Sequence, residues 1–287
     1  MIAHVAQAGE ARGRVVLQLS TANPSLVAIE AAVRVAQAFQ SEIESLFIEN
    51  RQLLDLASFP FAREISFNGR TSRMMASIDL ESEFRFAFAA LHRRIEALAR
   101  AAEVPLRQRT VRDDPISALA AACSEYGPWN VVALAEPFRP STTPALRQLF
   151  ETISDTTGLV VVGPKAQRTK GPVVAAVEEL DDLPGMLRAA DRLMTVTDGP
   201  VIVLLVADDE ERVHWMEAQA RLLLSERPDV RILWTEFSRG ATEVVAEALL
   251  RLKAGFVISR FGGLVVPDDG DLKPLAAALE CPLFLVR

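Results

Sequence analysis

The stretch "VVLQLSTANPSLVAIEAAVRVAQAFQSEIESLFIEN", residues 15–50, decides the fold. It opens on a short β-branched run, passes through an Ala-rich segment and closes on a second β-branched run, "IESLFIE" (43–49). In the middle segment Leu26, Ile29, Val33 and Ala36 recur at three- and four-residue steps, which places them on one face of a helix. Strand, amphipathic helix and strand in that order are the unit of a parallel sheet covered by helices.

The unit continues. The runs "LRQRTV" (106–111), "VVALAE" (131–136) and "LVVVG" (159–163) read as further strands. The segment 79–102 carries Phe84, Phe88, Leu91, Ile95 and Leu98 at helical spacing. After a polar stretch with a Gly-Pro break, "KAQRTKGP" (165–172), which reads as a linker, the alternation begins again. Strands are expected at 173–178, 201–208, 230–237, 255–259 and 283–287, with helices near 184–196, 210–226, 241–253 and 272–279. Each half therefore holds five strands, an internal repeat of an α/β domain. The runs "VIVLLVA" and "LVVVG" are apolar at odd and even positions alike, so both faces of those strands should be covered. The expected domains are 12–166, with an irregular insertion at about 61–80, and 171–287.

Composition narrows the function. The chain has 287 residues, half of them hydrophobic, and a net charge of -7, which leaves nonspecific nucleic-acid binding without the basic face it needs. No apolar run reaches the length of a membrane span or of a signal-peptide core, and a cytoplasmic protein is expected. Cys123 and Cys281 read as small buried hydrophobes, with neither metal-site nor disulfide spacing.

On residues 15–50, on "RQLLDLASFPFAREI" (51–65) and on the closing "CPLFLVR" (281–287), the chain resembles a tandem pair of universal stress protein domains. The resemblance covers nearly everything after Arg14. It implies two flavodoxin-like, Rossmann-type domains, each with a five-stranded parallel sheet flanked by helices, related by a pseudo-two-fold axis. It also implies that the last strands, near 159–163 and 283–287, pair within the chain.

ATP-binding members of that family carry an Asp at the end of the first strand and a loop G-x2-G-x9-G-[ST] after the fourth. Glycines let backbone amides close on phosphates, and a helix N-terminus favours the anion. In the first half Ser20 and Thr21 stand at the Asp position, and Pro137, Pro140 and Pro144 remove amide donors from the loop, which excludes a cradle of this type. Arg139, Ser141, Thr142 and Thr143 read as a helix-capping cluster, with contact to a small anion as the alternative.

The second half has the stretch "SRFGGLVVPDDGDLKPL" (259–275). Gly262 and Gly263 are adjacent rather than two apart, the distal Gly-Ser/Thr is missing, and Asp268, Asp269 and Asp271 would repel a phosphate. Glu178 could replace the strand-end Asp, or begin an acidic surface loop, and Arg260 is the one feature favouring an anion. The candidate cofactor-binding residues are thus Glu178, Arg260, Gly262 and Gly263, in a vestigial nucleotide loop.

His4, His92 and His214 show no triad or metal spacing. The clusters Glu178–Asp182 and Asp208–Glu211 read as helix caps, with a cation site as the alternative. The insertion sets Arg63, Arg70 and Arg73 beside Phe67, Met74 and Met75, and reads either as a plain connection or as a partner-facing loop. The expectation is a non-catalytic regulatory, accessory or scaffold protein with no cofactor, working through a protein partner or self-association. The alternative is a nucleotide-responsive regulator that binds ATP or AMP through its second domain.

Overall fold

A computed structural model of the chain describes residues 13–19, 24–66, 68–75, 77–125, 130–135, 148, 150–153, 156–236, 242–267 and 273–287. The first half runs β1 (Arg14–Leu19), α1 (Leu26–Ala38), β2 (Glu42–Asn50), α2 (Arg51–Ala57), β3 (Arg63–Ile65), β4 (Ser72–Met74), α3 (Ser77–Ala101), β5 (Leu106–Asp113), α4 (Pro115–Ser124), β6 (Asn130–Leu134) and β7 (Thr156–Val161). The second half runs β8 (Val173–Val177), α5 (Leu183–Thr197), β9 (Val201–Ala207), α6 (Glu210–Leu223), β10 (Arg231–Glu236), α7 (Thr242–Arg251), β11 (Phe256–Arg260), α8 (Lys273–Ala278) and β12 (Leu283–Val286).

The helices start where the sequence supplies a cap. The Ser25 hydroxyl accepts from the Ala28 amide at α1, and Asp114 accepts from Ile116 and Ser117 at α4, ahead of Pro115. Asp209 caps α6 by accepting from the Arg212 amide at 2.6 Å.

Ten of the strands form one sheet, in the order β10-β9-β8-β11-β12-β7-β6-β1-β2-β5. Every pairing is parallel except β7 with β12, which meet antiparallel with Leu283 opposite Val161 and Val286 opposite Gly158. Within each half the strands stand third, second, first, fourth, fifth. Alternate side chains feed two cores, one on each face. Val15, Leu17 and Leu19 join α1, α3, α5 and α6 on one face. Val16, Val132 and Leu134 join α4, α7 and α8 on the other.

Two expectations change. The insertion at 61–80 contains a two-stranded antiparallel hairpin, with Arg63 opposite Met74, before α3 begins at Ser77. The stretch 165–172 is packed rather than a loose linker. Thr169 is buried and accepts from Arg34 of α1 at 2.8 Å, and Gly171, at φ +126, lies against the backbones of Gly199 and Gly255. Only glycines fit at that three-way crossing.

A buried ion pair ties β1 to β2. Arg14 and Glu44 are 2% and 3% exposed, and Arg14 also donates to the Ala122 carbonyl at 2.5 Å. Removing Glu44 leaves the buried Arg14 charge without its carboxylate, so Glu44→Ala should cost about 3–5 kcal/mol in denaturant unfolding. The double change Arg14→Met/Glu44→Leu should recover most of that loss. The junction is equally tight, since a Cβ at Gly158 would lie 2.5 Å from the Phe284 ring and 2.7 Å from the Leu285 carbonyl oxygen. Gly158→Val should therefore destabilise the protein by about 1–3 kcal/mol or more, and a variant as stable as the parent would disprove the close approach.

Candidate functional site

In a doubly wound sheet the chain leaves its first and fourth strands in opposite directions, and ligands bind in the crevice outside their carboxyl ends. Here those strands are β1 with β6, and β8 with β11. In the first half the crevice would be formed by residues 20–23 and 136–147, so Ser20, Thr21, Pro137, Arg139, Pro140, Ser141, Thr142, Thr143 and Pro144 lie outside the described residues. The second half shows its crevice.

Glu178 follows the last residue of β8, and the loop 261–266 follows β11. That loop is closed by the Gly262 amide donating to the Val266 carbonyl at 2.8 Å, and is anchored by the buried side chains of Val265 and Val266. Gly262 stands at φ +84, a conformation that favours glycine. The turn then aims two successive amides at one point. The Leu264 amide donates to Oε2 of Glu178, and the Val265 amide donates to Oε1 at 2.9 Å. Converging amides of this kind form an anion nest, and the anion in it is the protein's own carboxylate.

The adjacent glycines therefore have separate tasks. Gly262 supplies the positive φ. Gly263 makes room, because a Cβ there would lie 2.8 Å from Cδ of Glu178 and 2.9 Å from Oε1.

The structure brings all four expected residues to this crevice, with different roles. Glu178 does not begin a surface loop, as it is only 5% exposed. Burial pushes its carboxyl above the usual glutamate range; the Val265 and Leu264 amides oppose that, Asp182 adds to it and Arg260 opposes it. Arg260 donates to Asp182 at 3.0 Å, in the turn after β8, and is half exposed. The amides of Leu264 and Val265, and Asp182 as the partner of Arg260, were not singled out from the sequence. The signal was present in the glycine pair, since a positive-φ residue followed by one without a side chain presents the next amides to a neighbour.

The remaining candidates disperse. His4, Asp268, Asp269 and Asp271 lie outside the described residues. His214 sits on exposed α6 near Glu210 and Glu217, and its ring meets Trp234 edge-on at 5.3 Å. Glu179 binds Arg212 at 2.6 Å. Cys123 and Cys281 are both buried and joined in no disulfide, and burial pushes the Cys281 thiol up to about 12. Among the described residues no group of His, Cys, Asp or Glu is placed to hold a metal, and no helix is long and apolar enough to cross a membrane. A cavity of about 960 Å³, lined in part by Phe39, Glu103, Arg192 and Phe284, lies at the amino ends of β1, β2 and β6, opposite the crevice.

No protein-family model and no curated relative matches the sequence. Solved structures do match. A universal stress protein from Archaeoglobus fulgidus superposes with a TM-score of 0.60 at 13% identity, over 95% of this chain and 96% of that one. A Pseudomonas aeruginosa protein assigned to the universal stress proteins gives 0.60 at 15% identity, over 96% and 94%. The cytoplasmic domain of a prokaryotic cation chloride cotransporter gives 0.54 at 9% identity, over 96% and 95%. Over nearly its whole length, the chain has the fold of the universal stress proteins.

Proposed function

We propose that the chain is a non-catalytic accessory or scaffold protein of the universal stress type, built from two tandem units and working in the cytoplasm. In this reading it does not use ATP. The observation that supports this is the Glu178 carboxylate seated on the Leu264 and Val265 amides, where a phosphate would have to sit. A phosphate entering there would meet a buried carboxylate already holding the Leu264 and Val265 amides. Arg260, the nearest cation, is engaged by Asp182. The work of such a protein falls to its surfaces, among them the hairpin β3–β4, which exposes Ile65 and Met74, with Phe61 exposed just ahead of it.

Native mass spectrometry of gently purified protein should find no nucleotide, and stoichiometric ATP or AMP would overturn the reading. Glu178→Ala should convert the filled nest into an open one. Calorimetry should then detect inorganic phosphate binding to the variant and not to the parent.

The raised pKa of Glu178 sets a second expectation. Because the folded state holds this proton more tightly than the unfolded chain, its stabilising contribution is complete below the ordinary glutamate value and is lost as pH rises through the raised one. Glu178→Gln lacks that titration. The melting temperature of the parent should therefore fall relative to that of the variant as pH is raised across this window, and parallel curves would count against it.

A further inference from the structure

The hairpin β3–β4 is built inside out. Its register sets Arg63 opposite Met74, Glu64 opposite Arg73 and Ile65 opposite Ser72. Opposite residues share a face and successive residues alternate, so Glu64 and Arg73 point one way and Arg63, Ile65 and Met74 the other. The inner face is identified by its partners. Ala62, which alternates onto the Glu64 side, is buried, and Arg73 reaches both Glu64 and, at 3.1 Å, Glu83 of α3. The ion-paired side chains thus lie towards the protein, while Ile65 at 65% and Met74 at 62% exposure face outward. A slip of one residue in register would turn both inward. Phe61, two residues ahead of Arg63, is 73% exposed and stacks on the half-exposed Phe59 with ring centres 5.3 Å apart. The tip is held by its own hydrogen bonds, with the Ser66 amide donating to the Thr71 carbonyl at 2.9 Å and the Arg70 amide to Oδ1 of Asn68 at 3.1 Å.

We propose that this outer face docks on a lipid bilayer with anionic headgroups. Charge is the first argument. Arg63 and Arg70 form no ion pair among the described residues, and the outer face of the two strands carries no carboxylate. The stretch 51–100 holds eight arginines against six carboxylates, in a chain whose net charge is -7. Positive charge is therefore gathered beside the outward apolar side chains. Guanidinium groups pair with lipid phosphates, and apolar side chains between them reach the acyl boundary beneath. An anionic leaflet attracts both features at once.

Shape and size select a bilayer over a protein. Apart from the partly buried Ser66, every described residue from 63 to 74 is exposed, so the hairpin stands out as a ridge and forms no groove for a peptide. Strands of three residues present a face only about 10 Å long, far short of the roughly 800 Å² that each partner buries in a stable protein interface. A bilayer needs neither a matching shape nor that area, because it admits each apolar side chain separately. Sign argues against a second copy, since two outer faces brought together would set arginines against arginines. The contact is peripheral, with the ten-stranded sheet left outside the bilayer. This inference extends the hairpin's place as a working surface and does not depend on what the Glu178 loop binds.

Cosedimentation of the full chain with vesicles tests this. Vesicles of phosphatidylcholine mixed with phosphatidylglycerol should carry the chain down, vesicles of phosphatidylcholine alone should carry far less, and added salt should release it. The double changes Ile65→Ser/Met74→Ser and Arg63→Gln/Arg70→Gln should each weaken binding about tenfold or more. All four positions are exposed, and circular dichroism identifies any variant that fails to fold. The arginine pair leaves the apolar side chains in place and keeps the test decisive. Hydrogen exchange should show the β3 and β4 amides protected by the mixed vesicles. A parent that stays in solution with mixed vesicles, or a folded variant of either kind that binds as the parent does, would overturn the proposal. So would binding to polyglutamate in place of vesicles, or a dimer in sedimentation velocity that Ile65→Ser/Met74→Ser abolishes.

Discussion

The four residue pairs between β7 and β12 hold two five-stranded sheets together as one. Both strands are almost wholly buried, so their backbone groups have no water to turn to and must find each other. Everything around the junction conforms to that pairing. On one face α1 comes against α5, and Arg34 reaches across to Thr169 and to the Val196 carbonyl. On the other, Phe150 stacks on Phe261 with ring centres 4.1 Å apart, and Arg287 donates to the Phe150 carbonyl. Gly158 is where the two backbones come nearest, and the connection 165–172 follows the one route left to it between Gly199 and Gly255.

Much of this order was legible in the residues, for a physical reason. Strands buried on both faces, such as β9 with all seven residues buried, must be continuous apolar runs, and helices covering them must show a three-four spacing. Boundaries then fell within a few residues of capping side chains such as Ser25 and Asp114. The hairpin β3–β4 escaped because its six residues are all exposed, and an exposed strand of three residues has no buried face to impose a period. The stretch 165–172 looked like a linker because its packing depends on Gly199 and Gly255, distant residues that no local pattern announces.

The candidate site was legible to a different depth. The glycine pair, the arginine and the strand-end glutamate could be placed at one crevice because the repeat located both strands. What they do to one another could not be read. Whether Glu178 faces solvent or the loop depends on the face of β8 from which it emerges, and its two amide partners lie 86 and 87 positions away. The motif's departure from a nucleotide loop was visible as missing spacing; the carboxylate seated in its place was not.

That carboxylate changes the terms of competition at the nest. It is not a ligand at bulk concentration but a group fixed one residue beyond a buried strand, with its approach already made. Even a short flexible tether confers an effective concentration of about millimolar, and a tether as rigid as β8 exceeds that. An external anion must therefore outcompete a resident that never diffuses away. On the proposed reading, the loop after β11 holds its shape across wide swings in the surrounding concentrations of phosphate and nucleotide, as a part of the molecule insulated from its solution.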